Sequence, residues 1–410
     1  MEYRDYQLDI IDQGVDILGE FGLLYLAMEV RTGKTLTSMG IAEGMNVKSV
    51  LFLTKKKAIG SIKSDYDLLK PSFDIEVINY ESLHKVEGVY DLIVLDEAHC
   101  MGGYPKPSKR SKQVKQLVSK NDPLIILMSG TPTPESYSQM YHQVYVSPRN
   151  PFSKYKNFYR FCDSYVDVFT KIINGLLIND YSKGRKDVLI KMKPYTIRYT
   201  QKEAGFKVKT TEKVLYVEME KTTYSLAKSL SKDLVVEGKD EVILADTPVK
   251  LMMKLHQIYS GTVKFESGKA QVLDHSKARF IRSKFANVKI GIFYKFKAEL
   301  KALKSVYGDD LTTDLEEFNE TDKSIALQIV SGREGISLRK AKYLVYYNID
   351  FSATSYWQSK DRMTTKERLK NDVYWIFSKR GIEDGIYKTV LNKKDYTLNH
   401  FRKDLLILQS

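Results

Sequence analysis

Continuous apolar segments of strand length constrain the fold of this chain more than any other feature. Five of them, rich in Leu, Ile and Val, lie in the first third of the sequence, at 23–28, 49–54, 75–79, 91–95 and 123–129. A second series follows at 289–294, 324–330, 341–347 and 372–377. Strands buried on both faces of a parallel sheet require such segments, and helical patterns separate them here. The sequence therefore predicts two α/β domains in tandem.

The stretch between the two series differs in amino-acid composition. From 145 to 212 the chain is rich in aromatic and basic residues. Within it, Asn174-Gly175 lies between two short apolar runs, which predicts a β-hairpin at 167–180. We predict a first lobe at 1–144, an accessory region at 145–212 and a second lobe at 213–410.

The charge of the chain indicates a polyanionic partner. The formal net charge is +14 and the isoelectric point is about 9.2. A surplus of cations favours nucleic acid, because each neutralised phosphate releases condensed counterions. No apolar run approaches the roughly 20 residues of a membrane span, and the polar start is not typical of a secretory signal. Two cysteines are too few for a disulfide framework, so we expect a cytoplasmic protein, in the host cytoplasm if it is phage-encoded.

The segment "MEVRTGKT" (28–35) ends in the tail of a phosphate-binding loop, between an apolar strand and an amphipathic helix. In that context, backbone N–H groups at the helix N-terminus bind phosphate oxygens. Lys34 would reach the β- and γ-phosphates, and the Thr35 hydroxyl would bind Mg²⁺. The pattern also expects a glycine where this chain has Met28, and Gly-Lys-Thr alone is common by chance.

The second chemical signal is "DLIVLDEAHC" (91–100). Asp96 and Glu97 come at the carboxyl end of a buried strand, where open α/β sheets bind ligands. There Asp96 would hold Mg²⁺, and Glu97 would orient or deprotonate the attacking water. An ordinary acidic strand end is the simpler interpretation, but the upstream loop argues against it. His99 either couples the site to the other domain or caps a turn.

Together these segments resemble the superfamily-two helicases and translocases, and within them the Swi/Snf-type branch. Eight blocks follow the order of that family over nearly the whole chain. The segments "SGTPTPESYSQMYHQ" and "YTQKEAG" are most similar to the compact helicases encoded by bacteriophages. The resemblance implies two tandem RecA-like domains with an accessory insertion that contains the hairpin. It also implies ATP and Mg²⁺ in the cleft between the lobes, and DNA as the partner.

In the first lobe, the resemblance implies roles for further blocks. "YRDYQ" (3–7) resembles the segment that recognises adenine, with Gln7 as the hydrogen-bonding residue and Tyr6 or Arg4 beside the ring. "FLTKKKAIGSI" and "VINYESL" resemble blocks that touch the nucleic-acid backbone, and "SGTPTP" (129–134) resembles the motif that couples it to the nucleotide site. The nucleic-acid contacts implied in these blocks are Lys55, Lys56, Ser129 and Thr131.

In the second lobe, "KIGIFYKFKAEL" resembles the first block and "GIEDGIYKTVLNKK" the closing helix of Swi/Snf-type cores. "VSGREGISL" (330–338) resembles a DNA-contacting loop, with Gly332, Glu334 and Gly335 in place. "YWQSKDRMTTKER" resembles the final block, with Gln358 and Arg362 aligned. The nucleotide-binding residues implied over both lobes are Arg4, Tyr6, Gln7, Arg31, Thr32, Gly33, Lys34, Thr35, Gly335 and Gln358.

Three positions depart from the family pattern. Arg31 stands where glycine is usual, and it either points outward or adds charge near the nucleotide. Thr365 replaces the second arginine of the final block, so Arg362 would have to act on the transferred phosphoryl group. Arg368, one helical turn further on, is an alternative, although a solvated helix face is the preferred interpretation for it. Arg333, in place of a small residue, would add a phosphate contact.

Basic residues interleaved with tyrosines suit backbone neutralisation and base stacking, although a solvated face over core tyrosines fits them equally well. The candidates in two such patches are Lys109, Arg110, Lys112, Lys183, Arg185 and Lys186. The hairpin between the patches is either a packed structural element or a wedge at a duplex or branch junction.

The sequence therefore predicts a DNA-dependent ATPase that moves on duplex or branched DNA and remodels or unwinds it. Other replication, recombination or repair proteins are possible partners. Two alternatives stay open: a nucleic-acid-binding module with weak or lost ATPase activity, and an RNA-directed helicase. Cysteines and histidines show no spacing typical of zinc ligands.

Overall fold

A computed structural model of the chain describes residues 2–173, 176–238, 240–332, 336–365 and 368–392. The chain divides into two compact units, Met1–Phe206 and Lys207–Ser410. Each unit contains one six-stranded sheet in which all neighbouring strands are parallel. Helices flank both sheets. The predicted fold class, two tandem α/β domains of the RecA-like kind, is confirmed.

In the first unit, the strand order is β3-β2-β4-β5-β1-β8. The strands of the first unit are β1 Leu23–Met28, β2 Ser49–Thr54, β3 Asp74–Asn79, β4 Leu92–Leu95, β5 Leu124–Met128, β6 Phe169–Ile173, β7 Leu176–Asp180 and β8 Thr196–Tyr199. The helices of the first unit are α1 Asp5–Phe21, α2 Lys34–Gly44, α3 Ile59–Leu69, α4 Lys109–Val118, α5 Met140–Val144, α6 Phe158–Tyr165 and α7 Asp187–Met192.

In the second unit, the strand order is β15-β16-β14-β17-β18-β9. The strands of the second unit are β9 Lys209–Val217, β10 Val235–Glu237, β11 Val242–Leu244, β12 Thr262–Lys264, β13 Ala270–Val272, β14 Ile290–Tyr294, β15 Leu311–Thr312, β16 Ser324–Gln328, β17 Tyr343–Tyr346 and β18 Lys370–Ser378. The helices of the second unit are α8 Lys221–Asp233, α9 Pro248–Tyr259, α10 Ser276–Lys284, α11 Lys297–Tyr307, α12 Leu315–Glu320, α13 Ile329–Gly332, α14 Ala353–Ser359 and α15 Glu383–Leu391.

The apolar segments read from the sequence become the central strands because both faces of each sheet are covered. In β1, Leu23 and Tyr25 pack into a core on one face, whereas Leu24, Leu26 and Met28 pack with α1 and α2 on the other. A strand with two buried faces cannot alternate polar and apolar residues. All nine predicted segments overlap strands of the two sheets.

Three edge strands, β8, β9 and the two-residue β15, lie outside those apolar segments. β8 adds to the first sheet beside β1, and β9 adds to the second sheet beside β18. β8 and the first four residues of β9 lie in the predicted accessory region 145–212, and the two compact units divide within that region, after Phe206. The short, alternating "TIRY" of β8 lacks the continuous apolar pattern, since an edge strand has only one neighbour to pack against.

The predicted hairpin is present as strands β6 and β7, which pair antiparallel from Phe169 with Asp180 to Ile173 with Leu176. The predicted turn residues, Asn174-Gly175, lie outside the described residues. The hairpin forms a two-stranded sheet of its own. Its apolar side chains Ile172 and Leu177 are each 75% exposed, so this pair does not form a buried core.

Among the residues described, no helix is both long and apolar enough to cross a membrane.

Buried His142 in α5 gives the first unit a predictable response to acid. Its Nδ1–H donates to the Gly103 carbonyl (2.6 Å), which holds the segment after the Asp-Glu-Ala-His motif. Burial lowers the pKa of His142 to about 4; the hydrogen bond to Gly103 opposes that shift and nearby Lys115 adds to it. The unfolded chain therefore takes up a proton that the folded chain does not, once the pH falls below about 6.5.

We expect the free energy of unfolding to fall between about pH 6.5 and pH 4 by up to about 3 kcal/mol through His142. Urea unfolding at several pH values, compared with His142→Gln, measures this contribution. The variant should show a flatter pH dependence over that range. Identical slopes in the two proteins would contradict the assignment.

Candidate functional site

The phosphate-binding loop joins β1 to α2, and two of its residues have a left-handed backbone. Gly33 caps α2 with φ +81° and Arg31 has φ +63°, both in the left-handed region. A Cβ on Gly33 would lie 2.6 Å from Gln7 Nε2 and would have to adopt φ +81°, so glycine is strongly favoured there. Met28, at the position of the expected outer glycine, is the fully buried last residue of β1. The loop therefore begins after Met28, and no glycine is needed there.

Arg31 occupies a backbone conformation that suits glycine. A non-glycine residue in the left-handed region costs roughly 1–2 kcal/mol, and such strain concentrates at functional sites. The loop thus keeps the shape that a glycine would give it, with a half-buried guanidinium side chain added. The effect of that charge on the nucleotide stays a prediction.

The start of α2 has the geometry of an anion site. Its first intrahelical hydrogen bond runs from the Thr37 N–H to the Gly33 carbonyl (3.0 Å). The N–H groups that precede this bond point out of the helix N-terminus, where the helix dipole favours negative charge. The Lys34 ammonium donates to the Glu29 carbonyl across the loop (3.2 Å). The charge of Lys34 also lowers the pKa of Asp96.

The "YRDYQ" segment packs against the loop. Gln7 is 3% exposed, and its amide donates to the Gly33 carbonyl and to Thr37 Oγ1, both at 3.3 Å. The Tyr6 hydroxyl donates to the Thr32 carbonyl (3.0 Å) and accepts from Arg4 (3.1 Å). These side chains therefore shape the loop in this structure, and their contact with adenine stays a prediction.

Residues of the accessory region also contact the phosphate-binding loop and the "YRDYQ" segment. The Tyr199 ring stacks on Tyr6 with centroids 4.7 Å apart. The Gln201 N–H donates to the Glu29 carboxylate (2.7 Å), and the Gln201 amide donates to the Val30 carbonyl (2.9 Å). Residues distant in sequence thus hold the nucleotide loop in place.

Asp96 lies immediately after β4, at the carboxyl edge of the sheet. Its carboxylate accepts from the Thr54 hydroxyl (2.8 Å), and its carbonyl accepts from the Tyr80 hydroxyl (2.6 Å). Burial, followed by the charge of Glu97, raises the pKa of Asp96 to about 6, whereas Thr54 and Lys34 lower it. Asp96 is therefore mostly ionised at pH 7 to 8, as a cation ligand must be.

Glu97, His99 and Ser129 form a continuous polar connection. Glu97 Oε2 and Ser129 Oγ lie 3.2 Å and 2.9 Å from His99 Nδ1, and the Thr131 N–H donates to Ser129 Oγ (3.1 Å). Glu97 also has a left-handed backbone, with φ +49°. The connection runs from the end of β4 to the segment after β5, so His99 contacts the predicted coupling motif.

The other predicted nucleic-acid contacts of the first unit differ in exposure. Lys56 and Lys109 are exposed, and Lys55 is half-buried. Arg110 donates to Glu81 (2.5 Å) and lies 5.8 Å above the Tyr80 ring, so it also anchors α4 to the segment after β3. Lys112, the remaining candidate on α4, is exposed.

The basic patch of the accessory region is less positive than its sequence indicates. Lys183, Arg185 and Lys186 are exposed, and the Lys183 ammonium lies 3.8 Å above the Phe169 ring. Arg185 is 3.6 Å from Asp167 and 3.5 Å from Asp187, and these carboxylates offset its charge. Lys183 and Lys186 are the better candidates for phosphate contacts.

In the second unit, the final block spans α14 and the short 3₁₀ helix Lys360–Met363. Arg362 donates from Nη1 to the Ile336 carbonyl (3.3 Å), and its own carbonyl accepts from the Leu338 N–H (2.8 Å). Gln358 lies in α14 and Gly332 ends α13. The predicted residues Arg333, Glu334 and Gly335 lie outside the described residues.

Arg368 belongs to the framework of the second unit. Its guanidinium donates to the carbonyls of Ala341 (2.8 Å) and Lys342 (2.6 Å) and to those of Arg339 and Lys370. The preferred interpretation, a solvated helix face, was wrong, because this half-buried side chain is bonded to the segment before β17 and to the start of β18. Arg362 is thereby favoured over Arg368 as the phosphoryl-directed arginine.

Comparison with known proteins shows which family the chain belongs to. The family model for the SNF2-related domain matches residues 30–262, more than half of the chain. The chain belongs to the SNF2-related family. This family comprises ATP-dependent DNA translocases and remodellers, so membership implies nucleic-acid-dependent use of ATP, typically with Mg²⁺.

Two solved structures resemble this SNF2-related protein, both from Sulfolobus solfataricus. The SWI2/SNF2 ATPase core in complex with dsDNA aligns with a TM-score of 0.42 and 15% identity, over 100% of this chain and 95% of that one. The SWI2/SNF2 ATPase core domain aligns with the same score and identity, over 100% and 92%. No curated protein sequence matches the chain significantly.

The SNF2-related site fits Mg²⁺ held together with phosphate, not in an all-protein cage. Within the described residues, no group of three or more His, Cys, Asp or Glu side chains could hold a metal ion. Mg²⁺ in nucleotide sites typically uses one or two carboxylates, with waters and substrate phosphates as its other ligands. Asp96 and the Thr35 hydroxyl would be the protein ligands.

Several site residues of this SNF2-related protein were missed in the sequence. Thr54 had a usable signal, because it is the polar residue at the carboxyl end of an apolar strand, where ligands bind. Tyr80 lies in "VINYESL", a block assigned to nucleic acid rather than to Asp96. Tyr199 and Gln201 lie in the quoted segment "YTQKEAG". Nothing in that segment pointed to the nucleotide loop, since only the pairing of β8 with β1 brings the two residues to it.

Proposed function

We propose that this protein is a DNA-dependent ATPase that moves on duplex or branched DNA and remodels or unwinds it. The observation that carries the proposal is the polar connection from Glu97 through His99 and Ser129 to Thr131. It links the group that would activate water to the segment expected to contact the nucleic acid. Such a link is what a motor needs if DNA is to control hydrolysis.

In the proposed reaction, Lys34 and the N–H groups at the start of α2 hold the β- and γ-phosphates of ATP. Glu97 orients the attacking water and takes its proton, while Arg362 of the second unit stabilises charge on the transferred phosphoryl group. Thr35 and Asp96 would hold Mg²⁺, which would neutralise part of the phosphate charge. Loss of the γ-phosphate then changes the relative affinity of two conformations for DNA.

The candidate DNA contacts remain those implied by the sequence, with Lys55, Lys56 and Lys109 in the first unit and Lys183 and Lys186 in the accessory region. The net charge of +14 supports phosphate binding. We further propose that the protein acts in the cytoplasm and is nearest in kind to the compact helicases of bacteriophages.

ATP turnover tests the proposal and its alternatives together. Turnover is measured without nucleic acid, with single-stranded, duplex or forked DNA, and with RNA, all at one salt concentration. We expect duplex or forked DNA to stimulate hydrolysis most. Stimulation by RNA alone would instead support an RNA-directed helicase. Binding without hydrolysis under every condition would support a nucleic-acid-binding module, which Arg31 and Thr365 make conceivable.

Thr54→Val tests the environment of Asp96. The change keeps the shape of the side chain but removes the hydroxyl that donates to the carboxylate. Loss of a residue that orients a metal ligand typically lowers metal affinity or activity about 10- to 100-fold. We expect a loss of this size in Mg²⁺-dependent ATP turnover, with a higher Mg²⁺ requirement. Thr54→Ser retains the hydroxyl and should stay near the wild-type rate; equal losses in both variants would contradict the role of the hydroxyl.

A further inference from the structure

The carboxylate of Glu212, on edge strand β9, gathers hydrogen bonds from four side chains. Its side chain is only 18% exposed. The donors and distances are Tyr356 Oη (2.9 Å and 2.8 Å to the two oxygens), Lys360 Nζ (2.6 Å), Trp375 Nε1 (2.9 Å) and Tyr387 Oη (3.4 Å). Both carboxylate oxygens are therefore bonded to neighbouring side chains.

The four donors come from different elements of the second unit. Tyr356 lies in α14, Lys360 begins the 3₁₀ helix, Trp375 lies in β18 and Tyr387 lies in α15. The pairing of β9 with β18 does not require this cluster, because a nine-residue parallel register already joins the two strands. Glu212 instead anchors α14 and the 3₁₀ helix to β9, through Tyr356 and Lys360.

α14, which leads into the 3₁₀ helix, is also held by polar contacts of Ser355 and Ser359. The Ser355 hydroxyl donates to Asp350 (2.8 Å), which also pairs with Lys295 (2.8 Å). The Tyr346 hydroxyl donates to Ser359 Oγ (2.5 Å). Ser355 and Ser359 are four positions apart, as are Tyr356 and Lys360, so each pair lies on one face of the segment and the two anchored faces are adjacent.

Glu212 is the charged partner in this set for Lys360, whose side chain is 10% exposed. Without the carboxylate, a mostly buried ammonium would lose its counter-charge, which is costly in a low-dielectric site. Burial, then the charge of Glu212, raises the pKa of Tyr356 far above neutral pH, so Tyr356 remains a hydrogen-bond donor. Replacing the carboxylate thus affects α14 and the 3₁₀ helix together.

Arg362 lies two residues after Lys360, in the same 3₁₀ helix. We propose that Glu212 is a positioning residue that fixes this helix so that Arg362 is held in its catalytic geometry. The role rests on the proposed ATPase function. Because small misplacements of a catalytic group can cost about 100-fold in rate, Glu212 should govern kcat more than ATP affinity.

Glu212→Gln tests the proposal, with Glu218→Gln as the matched control. The control removes an exposed carboxylate just beyond β9 that pairs with Lys379 (3.2 Å). For Glu212→Gln we expect kcat per folded molecule to fall about 10- to 100-fold, with KM for ATP within about twofold of wild type. Hydrogen exchange of backbone amides at 353–363 should be faster in this variant. The control should match wild type in all three measurements.

The outcomes separate positioning from a purely structural role. A lower thermal stability with unchanged kcat per folded molecule would overturn the proposal, as would unchanged exchange at 353–363. If the wild-type protein hydrolyses no ATP under any condition, the proposed function fails by itself. The exchange measurement, which needs no activity, then decides whether Glu212 anchors this segment.

Discussion

Lys34→Ala should reduce ATP hydrolysis by about 10²- to 10³-fold, the typical loss when one charge-stabilising donor is removed. In the structure, Lys34 spans the loop to the Glu29 carbonyl and lowers the pKa of Asp96. Its ammonium therefore contacts the phosphate-binding loop and acts electrostatically on Asp96. The alanine variant loses the only side-chain cation that we assign to the phosphates in the first unit.

DNA binding by Lys34→Ala should be retained, because the candidate DNA contacts lie on other segments. Steady-state hydrolysis and fluorescence anisotropy with labelled duplex DNA measure the two properties separately. Lys63→Ala, an exposed lysine on α3, is the matched control and should behave as wild type. Undiminished hydrolysis in Lys34→Ala would refute the nucleotide site.

Arg362→Ala should lower kcat on the order of 10³-fold, within the range for an arginine that acts on a transferred phosphoryl group. Thr365 stands where the family places a second arginine, and the other arginine of the final block, Arg368, is bonded to the carbonyls of Ala341 and Lys342. The affinity for ATP should change much less than the rate. Single-turnover hydrolysis, with nucleotide binding measured independently, distinguishes the two effects.

Arg368→Ala is the informative control for that experiment. Its guanidinium bonds the carbonyls of Ala341 and Lys342, so its loss should destabilise the second unit. Because these groups are only partly buried, the loss should lie at or below the low end of the roughly 1–3 kcal/mol that an unsatisfied buried group costs. We expect a lower melting temperature but a normal kcat per folded molecule. A normal rate in Arg362→Ala with a large loss in Arg368→Ala would reverse the two assignments.

Much of the fold could be predicted because the central strands are buried on both faces. Such strands show continuous apolar segments, and their carboxyl ends locate Asp96 and Glu97 without further information. Edge strands β8 and β9 were not predicted, because they lack such continuous apolar segments. Their place in the sheets is determined by pairing with distant strands, which no local pattern encodes.

The chemistry of the site was predicted residue by residue, but its supports were not. Gly33 and Lys34 follow from a short motif, whereas Gln201 reaches the loop only through the fold. Met28 shows the opposite case, in which a local mismatch with the motif has no structural consequence. Arg368 shows that a half-buried structural arginine and a solvated one cannot be distinguished from helical spacing alone.

The hydrogen bonds of Gln201 also define the smallest fragment that can carry an intact nucleotide loop. The two compact units divide after Phe206, and Gln201 lies just before that division. A protease that cleaves between Tyr199 and Gln201 would detach Gln201, which donates two hydrogen bonds to the loop. Every residue of the phosphate-binding motif would nevertheless remain in the first fragment. Cleavage after Phe206 would leave those hydrogen bonds in place, so the polypeptide leading to the second unit is itself part of the nucleotide-binding module.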